Sequence, residues 1–163
     1  MNIIIRKAAL EDYLIIESLY SDDNRFHAKI LPHMFNVISP IIDLDWYEKT
    51  VNDNAKELLI AFHLETPVGL LLLVKSKTPN EDFLKQREYV YIEDVVVSEL
   101  YRSQGIGKML MSKATDWASE NNISTIELDV WNANKGAISF YESLGYDLFR
   151  RRMKLEINDQ NRN

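Results

Sequence analysis

The sequence predicts an α/β (α+β) fold, a single domain with a central mixed, mostly antiparallel β-sheet flanked by helices. Apolar runs of strand length alternate with segments in which apolar residues recur at helical spacing. A short turn over 65–67 joins two of the strands into an antiparallel hairpin, whereas later strands are separated by helices, which is typical of parallel pairs. The 163 residues are enough for one domain with a full core. We expect this domain to cover residues 1–157.

The first half of the chain predicts a strand, a helix, an irregular stretch, a second short helix and the two strands of the hairpin. The first helix carries Leu14, Ile15 and Leu19 on one stripe, and the second begins after Asp43, a good N-cap residue. Two prolines, Pro32 and Pro40, interrupt the irregular stretch. In order, the six segments cover residues 2–6, 11–20, 21–45, 45–52, 58–62 and 68–74.

After a polar loop, the second half predicts a strand, a helix, a strand, a helix and one or two closing strands. The last of these helices ends before Gly145, which suits the left-handed position after a helix. The polar residues 158–163 predict a disordered tail. The loop covers 75–88, and the elements cover 89–97, 106–121, 125–131, 134–144 and 146–157.

Composition and charge argue against several classes of function. The formal net charge of −6 argues against a nucleic-acid partner, because that affinity depends on a basic surface. The chain has no cysteine, so disulfides, thiolate metal sites and covalent catalysis by cysteine are excluded. The three histidines lack metal-ligand spacing, and we expect no metal. No apolar run reaches the ~18 residues of a membrane span, and the N-terminus lacks the order of a signal peptide, so we expect no membrane partner and a cytoplasmic location.

A glycine-rich turn between the strand 89–97 and the helix 106–121 predicts an anion site. The first N–H groups of a helix have no internal partner, and the helix dipole adds partial positive charge there, so a phosphate fits. A dinucleotide-binding pattern needs a third glycine where Leu110 stands, and a P-loop needs Ser or Thr where Met109 follows Lys108. The residues of this turn are Arg102, Ser103, Gln104, Gly105, Ile106, Gly107 and Lys108.

A second motif begins at Asn134, where a helix starts, and places Tyr141 two turns later on the same face. Alone, Asn134 is explained as an N-cap and Tyr141 as a core residue. Together, Arg-x-x-Gly-x-Gly from Arg102 and Asn-x-x-Ala-x-x-x-Tyr-x-x-x-Gly-Tyr from Asn134 resemble the GNAT superfamily of acetyl-CoA-dependent N-acetyltransferases. The resemblance covers most of residues 89–147 and implies a GNAT-like fold. Glu99 and Ser103 depart from it, since many members have proline and glycine there.

The resemblance implies acetyl-CoA as the acyl donor. The backbone of Val95, Val96 and Val97 would pair with the pantetheine arm like an added strand, and the N–H groups of residues 102–108 would hold the pyrophosphate. Asn134 would contact the cofactor arm, and Tyr141 would stand near the thioester sulfur and protonate the leaving thiolate. The resemblance is also compatible with a homodimer.

Two adjacent carboxylates, Glu93 and Asp94, are the candidates for a general base. An alkyl ammonium has a pKa of about 10.4, so a base is needed to free the amine at neutral pH. Carboxylates inside an apolar strand are costly unless they are used or paired, and neighbours in a strand point to opposite faces. The pair before Val-x-Val is similar to the polyamine and diamine branch of the superfamily. We expect Glu93 to be the base and Asp94 a substrate or structural contact, with an ion pair from Asp94 to Arg102 or Lys108 as the competing explanation.

The predicted activity is acetylation of a primary amine on a small cationic molecule. Carboxylates and aromatic side chains of the segment 21–47, with Phe26 and Trp46 among them, suit such a cation, and the loop 75–88 would complete the acceptor site. Because no cysteine can form an acyl-enzyme, direct transfer in a ternary complex is favoured. Two alternatives stay open: acetylation of a protein N-terminus or lysine, and a non-catalytic acyl-CoA-binding module.

Overall fold

The computed structural model describes residues 2–157, which form one five-stranded sheet with helices on both faces. Single 3-10 turns cover Leu10–Asp12 and Glu99–Tyr101. The strands and helices are, in chain order, β1 Ile3–Lys7, α1 Tyr13–Ile30, α2 Leu44–Asn52, β2 Lys56–His63, β3 Thr66–Lys77, β4 Glu88–Val97, α3 Ile106–Glu120, β5 Ile126–Leu128 and α4 Lys135–Ser143.

The five strands lie side by side in chain order, from β1 to β5. The pairs β1–β2, β2–β3 and β3–β4 are antiparallel, and β5 runs parallel to β4. This confirms the mixed, mostly antiparallel sheet that the hairpin and the later strand–helix alternation predict.

Two apolar layers cover the sheet. Leu71 and Leu73 of β3 pack on the side of α3, whereas Leu70 and Leu72 pack on the side of α1 and α2. All four are fully buried, because successive residues of a strand point to opposite faces and helices cover both faces here. The core therefore fixes β3 as the centre of the sheet and leaves β1 and β5 as its edges.

Most predicted elements are confirmed, with changed lengths. Helix α1 continues ten residues past its predicted end, to Ile30, and β5 has three residues instead of seven. The Asp43 side chain accepts a 2.7 Å hydrogen bond from the Trp46 N–H, which confirms it as the N-cap of α2. Gly145 follows α4 with a φ of +89°, as predicted. The predictions at Asp43 and Gly145 are correct because each depends only on residues within one turn of the helix end.

The closing strands predicted over 146–157 are wrong for the single chain. Residues 147–157 belong to no helix or strand, and all of them are exposed. A strand needs a neighbour to satisfy its backbone groups, and no other described segment pairs with this one. The predicted tail 158–163 lies outside the described residues.

None of the helices within residues 2–157 combines the length and the apolar character that a membrane crossing requires.

Candidate functional site

A β-bulge in β4 at Glu93 organises the site. Leu72 of β3 pairs with Asp94 and Leu73 pairs with Ile92, so Glu93 is an extra residue without a partner on β3. Before the bulge, Ile92 packs on the α3 side, and after it Val96 packs on the α1 side. The bulge thus turns Asp94 toward α1, where it would have faced α3 in a regular strand, and leaves Glu93 exposed.

Strand β4 has an open edge just after the bulge. The pairing with β5 ends at Ile92 and Leu128, so within residues 2–157 no strand pairs with 93–97 on that side. The predicted backbone contact of Val95, Val96 and Val97 falls on this open edge. The Val97 carbonyl already accepts a 3.0 Å hydrogen bond from Arg102 Nε.

The glycine-rich turn leads from this edge into α3. Gly105 stands at the N-cap with a φ of +85°, and a Cβ added there would meet no atom within 4 Å. The first hydrogen bond of the helix runs from the Met109 N–H to the Gly105 carbonyl at 3.1 Å, so the N–H groups of residues 106–108 have no helical acceptor. No side chain caps the helix. The turn therefore presents free donors in open space, as an anion requires.

Gly107, by contrast, serves packing. A Cβ on Gly107 would lie 3.1 Å from Cζ of Phe140, so the missing side chain lets α4 approach the first turn of α3. The next residue on α4 is Tyr141, whose ring lies 5.3 Å from that of Phe140. The second glycine of the motif thus sets the position of the helix that carries Tyr141.

Arg102 and Phe26, predicted for the cofactor and the acceptor, contact each other. The Arg102 guanidinium carbon lies 4.3 Å from the centre of the Phe26 ring, so this side chain points to α1. This contact links the glycine-rich turn to α1. Lys108 is exposed at the start of α3.

Asp94 is the most perturbed carboxylate of the site. It accepts a 2.7 Å hydrogen bond from the Tyr20 hydroxyl and forms no ion pair with Arg102 or Lys108. Burial raises the pKa of Asp94 to about 6, against an ordinary value of 3.8, and the nearby Glu93 adds to the rise. A carboxyl with this pKa is a better proton acceptor at neutral pH than an ordinary aspartate.

Tyr20 is a residue that the motifs missed. Its pKa is well above the ordinary value because the phenol is buried and faces Asp94. The Trp46 ring, predicted for the substrate, meets the Tyr20 ring edge-on at 5.9 Å. In the sequence Tyr20 only continues the apolar stripe of α1, so no signal marked its hydroxyl as part of the site.

The added turns of α1 bring further charge to the site. His27 Nδ1 lies 3.0 Å from Oδ2 of Asp23, and this carboxylate raises the pKa of His27. The Asp23 charge also contributes to the raised pKa of Asp94. The structure thus places His27 within electrostatic reach of Asp94, whose pKa it lowers.

Tyr141 of α4 lies within electrostatic reach of Asp23 and Asp94. Burial raises its pKa to about 12, and Asp23 and Asp94 both contribute through their charges. Among the described residues its hydroxyl has no hydrogen-bond partner, while its ring packs against Tyr146 at 5.9 Å. The phenol is therefore held in its protonated form with its proton free to be donated.

Asn134 is the N-cap of α4. Its side-chain oxygen accepts a 3.1 Å hydrogen bond from the Ala137 N–H. The structural explanation of this residue is thus confirmed, and its predicted contact with the cofactor arm stays a prediction.

Comparison with known proteins agrees with this architecture. The sequence pattern described as the acetyltransferase (GNAT) family matches residues 16–146, which include the bulge, the turn and Tyr141. The chain belongs to this family of acyltransferases.

Relatives with a named activity match part of the chain. An L-ornithine N5-acetyltransferase of Arabidopsis thaliana is 31% identical over 111 residues, which are 68% of this chain and 43% of the relative. A ribosomal protein bS18-alanine N-acetyltransferase of Escherichia coli is 24% identical and covers 72% of this chain and 74% of the relative. The chain spans less than half the length of the Arabidopsis relative.

Among solved structures, a tetramutant of the BH1408 protein from Bacillus halodurans superimposes with a TM-score of 0.88. It is 28% identical and covers 94% of this chain and 99% of the other. An aminoglycoside acetyltransferase from a soil metagenome has the same fold, with a TM-score of 0.71 at 19% identity over 96% of this chain and 95% of the other.

Proposed function

We propose that this protein is an N-acetyltransferase that transfers the acetyl group of acetyl-CoA to a primary amine of a small cationic molecule, directly within a ternary complex. The observation that carries the proposal is that Asp94 lies just past the point where β4 parts from β5, and that its charge reaches Tyr141 and raises the pKa of that phenol. A proton acceptor and a proton donor thus lie beside an open strand edge that leads into an anion-binding turn.

The residues around the turn fit acetyl-CoA. The free N–H groups of residues 106–108 and the open space at Gly105 suit a pyrophosphate, and the edge at Val95 suits an extended chain that carries amides. When bound, this donor supplies the thioester that is cleaved. The turn and the strand edge would hold it so that its acyl end lies near Asp94 and Tyr141.

Asp94 is the base in this proposal. The sequence assigned that role to Glu93, but Glu93 is exposed at the bulge, whereas Asp94 is half-buried with a pKa of about 6. An ionised Asp94 attracts the ammonium and accepts its proton, directly or through water. We assign Glu93 to contact with the cationic substrate.

Tyr141 is the acid. Its raised pKa keeps the phenol protonated across the neutral range, so a donor is always available for the leaving sulfur. A thiol with a pKa of about 8.5 is a stronger acid than this phenol, so proton transfer from Tyr141 to the thiolate is uphill. The phenol therefore stabilises the leaving thiolate by donating a hydrogen bond. If the proton is transferred, the phenolate takes up another proton from solvent.

The acceptor is a cation because three carboxylates surround the reacting position. The charges of Glu93 and Asp23 both raise the pKa of Asp94, whereas the Tyr20 hydroxyl and His27 are the groups that lower it. The Trp46 ring lies against Tyr20, the hydrogen-bond partner of Asp94, while the Phe26 ring carries the Arg102 guanidinium on one face. The relatives named for ornithine and thialysine acetylation act on amines of this chemical kind. A small diamine or basic amino acid fits this arrangement best.

The test is release of free CoA from acetyl-CoA with a panel of diamines, polyamines, basic amino acids and an alanine-starting peptide. Turnover with a small cationic amine supports the proposal. Turnover with the peptide alone would indicate a protein N-terminal acetyltransferase. Acetyl-CoA binding in calorimetry without turnover on any amine would indicate a binding module, and equal affinity of wild type and Gly105→Glu would contradict the phosphate role of the turn.

Three variants separate the roles of the side chains. Asp94→Asn should lower kcat by about 10²–10⁴-fold and Tyr141→Phe by about 10²-fold, the usual range for a lost proton-transfer group. Glu93→Gln should mainly raise KM. If Glu93→Gln lowered kcat and Asp94→Asn mainly raised KM, Glu93 would be the base, as the sequence predicted.

A further inference from the structure

We infer that the rings of Phe35 and Trp131 close the acceptor side of the site, so that only small, slender amines reach Asp94. We call this pair the aromatic gate. The inference rests on the acetyl-transfer activity proposed above and adds to it the residues that limit the size of the acceptor. Neither residue of the gate belongs to the two motifs that predict the function.

The aromatic gate spans the gap that opens where β4 and β5 part. Their pairing ends at Ile92 and Leu128, and no described strand takes the place of β5 beside residues 93–97. Trp131 is the third residue after β5 and is still 45% exposed. Its ring meets the Phe35 ring edge-on, with 5.5 Å between the ring centres. The contact therefore joins the chain after β5 to the segment between α1 and α2.

Phe35 is held in place from α1. The His27 ring lies 5.2 Å from the Phe35 ring. Asn24 of the same helix uses both ends of its amide on the segment, because its nitrogen donates to the Asn36 carbonyl at 3.0 Å and its oxygen accepts from the Ile38 N–H at 3.3 Å. Side-chain hydrogen bonds on either side of Phe35 fix the backbone that carries it, so one half of the gate has a defined position.

The contacts around Asp94 form a closed circuit. Tyr20 donates to Asp94, and it lies two turns before His27 on the same face of α1. His27 contacts Phe35, and Phe35 contacts Trp131. From Trp131 the chain leads back through β5 to β4, which carries Asp94. An amine that reaches Asp94 from the side of α1 must therefore pass inside this circuit.

A closed circuit and an open groove select different acceptors. Edge-to-face rings at this distance are in contact, so no chain fits between Phe35 and Trp131. A polypeptide carries side chains and further backbone close to its N-terminal amine, whereas an alkyl amine has only methylene groups there. The gate thus stops a polypeptide and lets a slender cation reach the carboxylate of Asp94.

The first experiment measures access to the site without any turnover, and the absence of cysteine from the sequence allows it. Glu93→Cys places a single thiol at the exposed bulge residue beside Asp94. The thiol is alkylated with N-ethylmaleimide or with fluorescein maleimide, which share one reactive group and differ in bulk. The bulky reagent should react at least about tenfold more slowly than the small one. Leu64→Cys is the matched control, since Leu64 is 74% exposed between β2 and β3, and it should react with both reagents alike.

Opening the gate should remove this difference. In the Glu93→Cys background, Trp131→Ala and Phe35→Ala should each raise the rate of the bulky reagent by at least about tenfold and leave that of the small one nearly unchanged. Trp131→Phe keeps a ring and should keep the protection. Equal rates of the two reagents with the gate intact, or a bulky rate that neither alanine variant raises, would overturn the inference.

The second experiment measures the consequence for turnover in the chain that retains Glu93. The two acceptors are putrescine, a slender diamine, and an alanine-starting tripeptide. Trp131→Ala should change the ratio of their kcat/KM values in favour of the tripeptide by at least about tenfold, whereas Trp131→Phe should keep the wild-type ratio. An unchanged ratio in Trp131→Ala would overturn the inference. No turnover with either acceptor would count against the proposed function, while the alkylation rates still decide whether the gate restricts access.

Discussion

The Tyr20 hydroxyl donates a 2.7 Å hydrogen bond to Oδ2 of Asp94, and this bond ties α1 to the bulged part of β4. Burial raises the pKa of Asp94, while the bond from Tyr20 lowers it, since the phenol stabilises the charged carboxylate. Together with the smaller contributions of Glu93, Asp23 and His27, these two effects leave the pKa at about 6, close to the working range of a general base.

Replacing Tyr20 by phenylalanine should raise the pKa of Asp94 above its present value. The charged carboxylate loses a donor while its burial stays nearly the same. The acidic limb of the kcat/KM profile should therefore move to higher pH, and the rate at pH 6 should fall more than the rate at pH 8. Tyr13→Phe is the matched control. Tyr13 lies on the same helix as Tyr20, but its hydroxyl donates to the Ile42 carbonyl and not to Asp94. A profile that does not move would remove Asp94 as the base.

The two glycines of the turn should respond differently to alanine. Gly105→Ala places a Cβ in open space but forces φ to +85°, which costs about 1–2 kcal/mol and disturbs the donors of the turn, so acetyl-CoA affinity should fall. Gly107→Ala pushes against Phe140 and displaces α4, so kcat should fall more than affinity. Calorimetry and initial rates separate the two effects.

A double variant checks the packing explanation. Phe140→Leu should cost less in the Gly107→Ala background than in wild type, because the smaller side chain relieves the overlap. Strictly additive costs would mean that Gly107 and Phe140 do not interact as the 3.1 Å approach indicates.

The Arg6–Asp12 pair should control acid stability. Asp12 is buried, accepts from both terminal nitrogens of Arg6 at 2.6 and 2.8 Å, and accepts from the Ala9 N–H at 2.8 Å. The hydrogen bond from Arg6 is the main reason that the pKa of Asp12 lies below its ordinary 3.8. A lowered pKa stabilises the fold above the unfolded value, and this stabilisation is lost as the pH falls through the folded one.

We expect Asp12→Asn to lower the free energy of unfolding at pH 7 by about 1–3 kcal/mol. This is less than the loss of a fully buried ion pair would cost, because water screens the half-exposed Arg6 side chain. The difference from wild type should shrink below pH 3.8. Urea unfolding at pH 7 and pH 3 measures it. Asp45→Asn, which breaks the exposed Asp45–Lys49 pair, should change little. A constant difference at both pH values would contradict the linkage.

The predictable parts of this molecule are those that depend on local chemistry. The turn at Gly105, the cap at Asp43 and the hairpin follow from residues within a few positions of each other. The bulge at Glu93 does not, because apolar valines continue on its far side and the extra residue leaves no gap in the pattern. The two carboxylates were thus found, but which of them faces α1 was not predictable.

Two other predictions failed, the length of α1 and the closing strands over 146–157, and the failures have different causes. The last ten residues of α1 are mostly polar, so periodicity could not reveal a helix whose face lines a polar site, and Tyr20, Asp23 and His27 were not grouped together. The alternating pattern within 146–157 predicted a strand, but no other described segment pairs with it.

Asp94 should carry a cost in stability that its removal reveals. Its pKa in the folded protein is about 6 against an ordinary 3.8, so the folded state binds more protons than the unfolded state between these values. Stability from this group therefore falls as the pH rises from about 4 to 6 and stays low above that. A shift of about two pKa units corresponds to at most about 3 kcal/mol.

Asp94→Asn removes that cost while its amide oxygen can still accept from Tyr20. We expect the variant to be more stable than wild type at pH 7, by up to about 3 kcal/mol, and to have no advantage at pH 4. Urea midpoints at both pH values measure this, with Asp45→Asn, which breaks only the exposed pair with Lys49, as the control that should change little at either pH. Because the same substitution should abolish most of the turnover, a variant that gains stability while losing kcat would identify the burial of Asp94 as a functional feature. A variant that is destabilised equally at both pH values would instead show that Asp94 serves mainly to hold β4 against α1.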